Sequence, residues 1–355
     1  MDLQTFWFVL IAVLWAGYFV LEGFDFGVGM LLPFLPRDER ERRVMFETIG
    51  PVWDGNEVWL VVAGGATFAA FPEWYGTMFS GFYLALLLVL VFLIIRVVSF
   101  EWREKSASPR WRTLWMWANT VGSTGASLIW GVGLANLLHG VPLAANGDYA
   151  GDFADLFSPY TVVAGVAVVV LFAFHGATFL ALRTTGNLCE RAARTARGIA
   201  VPAALLAAGF LVWTVAVAVD RNDKDVFPPA LPAALGVAAL ALAVLAVFWR
   251  RRGWAFSFTA LGVIAIVATL FTSLYPRVMV SSPDFANSLT VDGSSSSHYT
   301  LTVMTVVALI VTPIVLLYQG WTYYVFRQRL GLSEADPHEG DRVPRKLPSG
   351  IEGSS

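Results

Sequence analysis

Apolar residues run along this chain in blocks of 19 to 28, parted by short polar segments rich in arginine. A bilayer core about 30 Å thick is crossed by roughly 20 apolar residues in a helix. Nine blocks meet that length: Phe6–Leu32, Trp53–Phe71, Thr77–Phe100, Thr113–Leu138, Tyr160–Leu182, Gly198–Val219, Ala230–Trp249, Trp254–Tyr275 and Tyr299–Phe326. The first and last are long enough to tilt or protrude. The pattern predicts an all-α polytopic membrane protein with a single transmembrane domain over 1–329. A polar tail over 330–355, with Pro and Gly, reads as disordered. Of the connecting segments, His139–Ser158 and Pro276–His298 are longer, and the second, with Ser294–Ser297, reads as a flexible surface loop.

Composition supports lipid as the solvent. Hydrophobic residues make up 57% and charged residues 14%. Ordinary globular domains have roughly 45–50% and about 25%. That balance argues against a soluble globular enzyme and excludes a disordered or fibrous chain. The net charge of −2, without a long basic tract, gives no sign of nucleic acid. Cys189 is the one cysteine, so no internal disulfide or cysteine-based metal site can form, and it reads as a small apolar filler. The N-terminus MDLQTFWF lacks the positive region of a cleaved signal peptide, so the first block is expected to stay and span. Trp residues near block ends, such as Trp53, Trp74, Trp102, Trp111, Trp249 and Trp254, read as an interfacial belt.

The basic residues orient the chain. With nine crossings, 21 of the 24 Lys and Arg fall on one side. Arg221, Lys224 and Arg277 fall on the other. Basic loops stay cytoplasmic, which predicts an N-terminus outside and a cytoplasmic C-terminus.

A few ionisable residues lie within the blocks, where charge is costly and marks a pathway. The first block carries Glu22 and Asp25, the second opens with Asp54, Asn56 and Glu57, and the third holds Arg96. Glu22 and Asp25 are spaced i, i+3 and share a helix face, as do Asp54 and Glu57. Asp25 lies about 28 Å along the helix from Phe6, at the cytoplasmic end. Spans two and three place Asp54, Glu57 and Arg96 at the same depth. Four carboxylates and one guanidinium are thus expected to converge. They could be boundary charges, with Asp54 a simple N-cap, or a site of proton uptake. Gly23 and Gly27 form a GxxxG pattern that admits a close helix neighbour. His175, inside the fifth block, is either a hydrogen-bonded interior residue or a haem ligand.

The stretches LEGFDFGVGMLLPFL, ERRVMFETIGPVWDGNEVWLVVAGGATFAAFPEWY and FSGFYLALLLVLVFLIIR resemble subunit II of cytochrome bd-type quinol oxidases. So do WRTLWMW, GVGLANLLHGVP, RRGWAFSFTAL and LTVMTVVALIVTPIVLLYQGWTYYVF. The resemblance extends to about Phe326, and WDGNEVW and GFDFGVGM carry most of its specificity.

The resemblance implies a subunit of a bacterial plasma-membrane terminal oxidase that oxidises menaquinol or ubiquinol and reduces O2 to water. Protons come from the cytoplasm and quinol protons leave outside, so a potential forms without pumping. The expected fold is two four-helix bundles, about 6–138 and 160–275, plus a peripheral helix about 299–326. The expected partner is a haem-bearing subunit I, which carries two b-type haems and haem d. Subunit II itself carries no haem, stabilises subunit I across an apolar interface, and can hold a structural quinone. A small accessory subunit and lipid complete the expected partners.

Asp54 matches the family's acidic residue in WDGN, at the cytoplasmic mouth of a proton path. Asp25 matches the Asp of GFDxGVGM. Glu22 stands where relatives can have Asp, and Glu57 and His175 where relatives can have Gln. The proton pathway expected from these matches is Asp54, Asp25, Glu22 and Glu57, with Arg96 as charge partner. The rival readings are a proton-coupled secondary transporter with carboxylates near a cytoplasmic gate, and a haem-binding membrane cytochrome. A transporter would more often place broken helices at the membrane midplane.

Overall fold

The computed structural model describes residues 2–222, 225–282 and 284–332. Lys224 and the tail from 333 onward, for which disorder is predicted, lie outside the described residues.

The chain forms the helices α1 (Leu3–Leu31), α2 (Glu39–Ile49), α3 (Trp53–Ala70), α4 (Pro72–Gly81), α5 (Tyr83–Trp102) and α6 (Pro109–His139). They are followed by α7 (Pro159–Arg183), α8 (Gly186–Asn222), α9 (Phe227–Phe248), α10 (Arg252–Leu274) and α11 (His298–Val325). The ends follow local chemistry. Asp2 caps α1 by accepting from Thr5 N at 2.8 Å, and Asp38 caps α2 by accepting from Glu41 N at 2.9 Å. Pro72, Pro109 and Pro159 open α4, α6 and α7 at the helical position that lacks a partner for an N–H anyway.

Eight helices, α1 and α5 to α11, are long and apolar enough to cross a membrane. The second predicted block also forms a helix, α3. Its polar first turn, with Asp54, Asn56 and Glu57, lowers its apolar content relative to those eight. The third block differs from expectation. Its first residues belong to α4, and the chain turns at Phe82 (φ −97, ψ 20) before α5 begins. Between the first two blocks lies α2, an amphipathic helix that hydropathy alone passes over. Val44, Met45 and Ile49 face inward, and its polar face carries Arg40, Arg42 and Arg43.

α1 is the hub. It packs on α3, α6, α7 and α10, while α5 lies on α6 and α9 lies between α8 and α10. The closest approach is at Gly27 and Gly176. A Cβ on Gly27 would lie 1.9 Å from the Phe172 carbonyl oxygen, and one on Gly176 would meet the Gly27 backbone. Gly27 therefore does what the GxxxG pattern predicts. α11 packs mainly along the edge formed by α1 and α3, and most of its length is exposed.

At the end where α1 finishes, the loops are tied by ion pairs. Arg103 pairs with Glu39, Arg191 with Glu41, and Arg252 with Glu190. At the opposite end, 276–298 is packed rather than loose, which corrects the flexible-loop expectation. β1 (Arg277–Met279) pairs antiparallel with β2 (Leu289–Thr290), and Val278, Met279 and Val280 are buried. Val141 N donates to Val280 O at 3.0 Å, and Ser296 N to Ala70 O at 2.8 Å. Three consecutive apolar side chains with a place to pack outweigh the serine run that suggested mobility.

Candidate functional site

The site is assembled by the last turns of α1, the first turn of α3 and the latter half of α5. Glu22 and Asp25 are fully buried on α1. Arg96 is fully buried on α5, where its guanidinium lies 4.8 Å from the centre of the Phe26 ring and 5.5 Å from that of Phe100. Its Nη2 reaches Glu22 Oε2 at 3.2 Å and its Nη1 reaches Glu57 Oε2 at 3.7 Å. One guanidinium thus bridges carboxylates from two other helices, with aromatic rings against the charge.

Asp25 is held differently. Asn56 Nδ2 donates to Asp25 Oδ2 at 2.8 Å. Asn56 Oδ1 accepts from Tyr323 Oη at 2.7 Å and from Gln319 Nε2 at 3.3 Å. Gln319 Oε1 in turn accepts from Trp59 Nε1 at 2.7 Å. A polar chain therefore runs from α1 through α3 to α11. Beside it, α3 and α11 enclose a mostly apolar cavity of about 440 Å³, whose polar lining includes Asp54, Asn56, Gln319 and Tyr323.

Three of the four carboxylates come together around Arg96 and Asn56, and Asp54 does not. It lies exposed in the first turn of α3, as its second residue, and the N-cap is Val52. The expected convergence of Asp54 is corrected by helix geometry. Two residues turn a helix by about 200°, so with Asn56 facing inward Asp54 faces out. Glu57 sits between those directions, with 21% of its side chain exposed.

His175 lies on α7, fully buried and stacked on Phe256 at 4.7 Å with the rings nearly parallel. Its Nε2 donates to the Val20 carbonyl at 3.1 Å, which leaves Nδ1 to accept from the Thr259 hydroxyl at 2.7 Å. Both ring nitrogens are occupied, so the residue does not fit a haem ligand. His139 stacks on Tyr160 and His298 is exposed at the start of α11. Among the described residues no group of three His, Cys, Asp or Glu side chains is placed to hold a metal ion.

The sequence pattern marks Asn56 as a polar position of the second block without a role, and does not single out Tyr323, Gln319 or Trp59. Gln319, the one amide side chain of α11, and Tyr323 were detectable as an i, i+4 pair. Nothing in the spacing named Asn56 as their acceptor.

An all-helical, multi-pass membrane protein with an acid–guanidinium cluster buried at one end of its helices is the class these features define. Comparison with known proteins narrows it. The sequence model for "Cytochrome bd terminal oxidase subunit II" matches residues 3–326. "Cytochrome bd ubiquinol oxidase subunit 2" of Bacillus subtilis (strain 168) is 41% identical over 336 residues, covering 94% of this chain and 98% of that protein. "Cytochrome bd-I ubiquinol oxidase subunit 2" of Escherichia coli (strain K12) is 38% identical over 354 residues, covering 91% and 93%. A chain in the structure of bd oxidase from Geobacillus thermodenitrificans is similar in fold, with a TM-score of 0.72 at 18% identity over 92% of this chain and 97% of that one. This chain belongs to the cytochrome bd terminal oxidase subunit II family.

Proposed function

We propose that this chain is the non-haem subunit II of a bacterial quinol oxidase complex that reduces O2 to water. It stabilises a haem-bearing subunit I and supplies part of the route by which cytoplasmic protons reach it. Arg96 bridging Glu22 and Glu57, with Asp25 alongside, is the observation that carries the proton role. Three acids around one guanidinium in low dielectric form a place where protons are taken up and handed on. Asp54 is exposed two turns or less from that cluster and serves as its mouth on the cytoplasmic side. In this reading the N-terminus is outside, α3 is the ninth crossing, and the charge separation needs no pump.

The helix contacts suit two four-helix bundles, α1 with α3, α5 and α6, and α7 to α10, with α11 peripheral. The exposed apolar faces, including nearly all of α11, suit contact with subunit I and lipid. The mostly apolar cavity between α3 and α11 is where a structural quinone would sit. The haems belong to subunit I and supply the electron transfer and oxygen chemistry. A small accessory subunit is compatible with this arrangement.

Purification in mild detergent, with absorption spectra and O2 consumption, tests the proposal. A second membrane subunit bearing haem is expected to accompany the chain. Asp54→Asn is expected to slow O2 reduction with haem content unchanged. A chain that purifies with neither partner nor haem overturns the oxidase reading, and normal turnover in the assembled variant overturns the role of Asp54.

A further inference from the structure

α9 ends in a Schellman turn, where Arg251 N donates to Ala246 O at 2.8 Å and Arg250 N to Val247 O at 3.2 Å. That turn needs a left-handed residue just past the cap, and Arg250 takes it with φ 57. Glycine is favoured there, because a Cβ is crowded in this conformation. Among the described residues Arg250 is the sole non-glycine with positive φ. Strain kept at one position is a reason to look for function.

Arg250 begins a run of three arginines. Arg252 pairs with Glu190 at 2.5 Å. The exposed side chains of Arg250 and Arg251 make no hydrogen bond or ion pair among the described residues. All three border an open cavity of about 520 Å³ whose wall includes Leu182, Trp254 and Phe256. Arg250 and Arg252 also border a neighbouring recess together with Arg197. Four arginines therefore meet one acid. α10 begins at Arg252, so its first-turn N–H groups add partial positive charge beside them. Trp249 and Trp254, 69% and 62% exposed, flank the arginine run. Exposed tryptophans at helix ends sit at headgroup depth.

We propose that the α9–α10 turn binds the phosphate of an anionic phospholipid, with the acyl chains lying along the apolar wall at Leu182 and Phe256. Basic pockets between transmembrane helices take such headgroups. Arginine donates in a planar fork that matches phosphate oxygens. A glycine at position 250 would relax the turn and remove a cation from the pocket. The site requires only that α7 to α10 cross a bilayer, and does not depend on the oxidase reading.

The test uses the protein purified in mild detergent with whatever subunits accompany it. It is stripped of lipid and offered mixed phosphatidylglycerol and phosphatidylcholine. Retained lipid is counted by native mass spectrometry. Arg250→Gly combined with Arg251→Gln is expected to lower phosphatidylglycerol retention about tenfold, with phosphatidylcholine retention unchanged. Folding is not at risk at position 250, since glycine suits the turn. Lys105→Gln combined with Arg110→Gln removes the same charge from the same end and is expected to leave retention unchanged. Equal retention in the α9–α10 variant and the parent overturns the proposal, as does an equal loss in the control. Displacement of the lipid by millimolar inorganic phosphate assigns the pocket to a free anion and overturns the lipid assignment.

Discussion

Arg96 and Glu22 meet at 3.2 Å with neither side chain exposed to solvent. Burying both ions is costly, and their attraction offsets that cost only while both are present. Glu22→Ala is expected to destabilise the protein by about 3 kcal/mol, the low end for a broken buried pair because Glu57 still faces the cation. Glu22→Ala with Arg96→Met is expected to lose less than the single variant. Thermal unfolding of the purified protein measures both, and a double variant weaker than the single one would contradict the pairing.

Asn56 joins three helices, and its loss is expected to be felt on all of them. Asn56→Leu leaves Asp25 Oδ2 and Tyr323 Oη without partners and is expected to cost about 3 kcal/mol or more, against about 1 kcal/mol for Tyr323→Phe. Hydrogen exchange is expected to rise along α11 in both variants and along α3 in Asn56→Leu. Unchanged exchange in α11 would remove the link from α3 to α11.

The Gly27–Gly176 approach has no room for a methyl group. Gly27→Ala is expected to destabilise by about 3 kcal/mol, as overpacking does when backbone is the obstacle. Gly209 on α8 has nothing within 4 Å of its would-be Cβ. Gly209→Ala is therefore expected to stabilise by about 0.5–1 kcal/mol through helix propensity. The two melting temperatures should move in opposite directions. A tolerated Gly27→Ala would mean that α1 and α7 are further apart.

His175 serves as a hydrogen-bonded link between α1, α7 and α10. His175→Gln is expected to preserve haem content per complex and most of the stability, since an amide can both donate and accept. His175→Leu is expected to lose about 1–2 kcal/mol, by removing the bonds to Val20 O and to Thr259 Oγ1, which still donates to Phe256 O, again with haem retained. Haem lost in proportion to the substituted chain, measured by pyridine haemochrome absorbance, would reinstate His175 as a ligand.

Hydropathy placed eight helices to within a few residues, except at the starts of α5 and α8, because a continuous apolar run leaves little choice of structure. It was weaker where function intrudes. α3 loses apolar signal through Asp54, Asn56 and Glu57, the residues that make it interesting. The break at Phe82 involves no charge, glycine run or proline at the turn itself, so the pattern offered nothing to mark it. Glu22, Asp25, Glu57 and Arg96 were legible because ionisable groups in apolar runs are rare. Asp54 was grouped with them by depth, by its i, i+3 spacing from Glu57 and by the WDGN match, while helix phase relative to Asn56 decided its direction. Tyr323 lies far from Asn56 in the chain, and such a partner emerges only once α11 is docked.

α11 is held more by polar contacts than by apolar cover. Trp7 Nε1 donates to Thr305 Oγ1 at 3.0 Å near one end, and Gln319 and Tyr323 reach Asn56 near the other. Beyond it, Leu330 N donates to Arg183 O at 2.8 Å. Among the described helices α11 comes last in the chain. A chain cut before α11 would leave Asn56 Oδ1 without either of its donors and carry an incomplete polar junction beside Asp25.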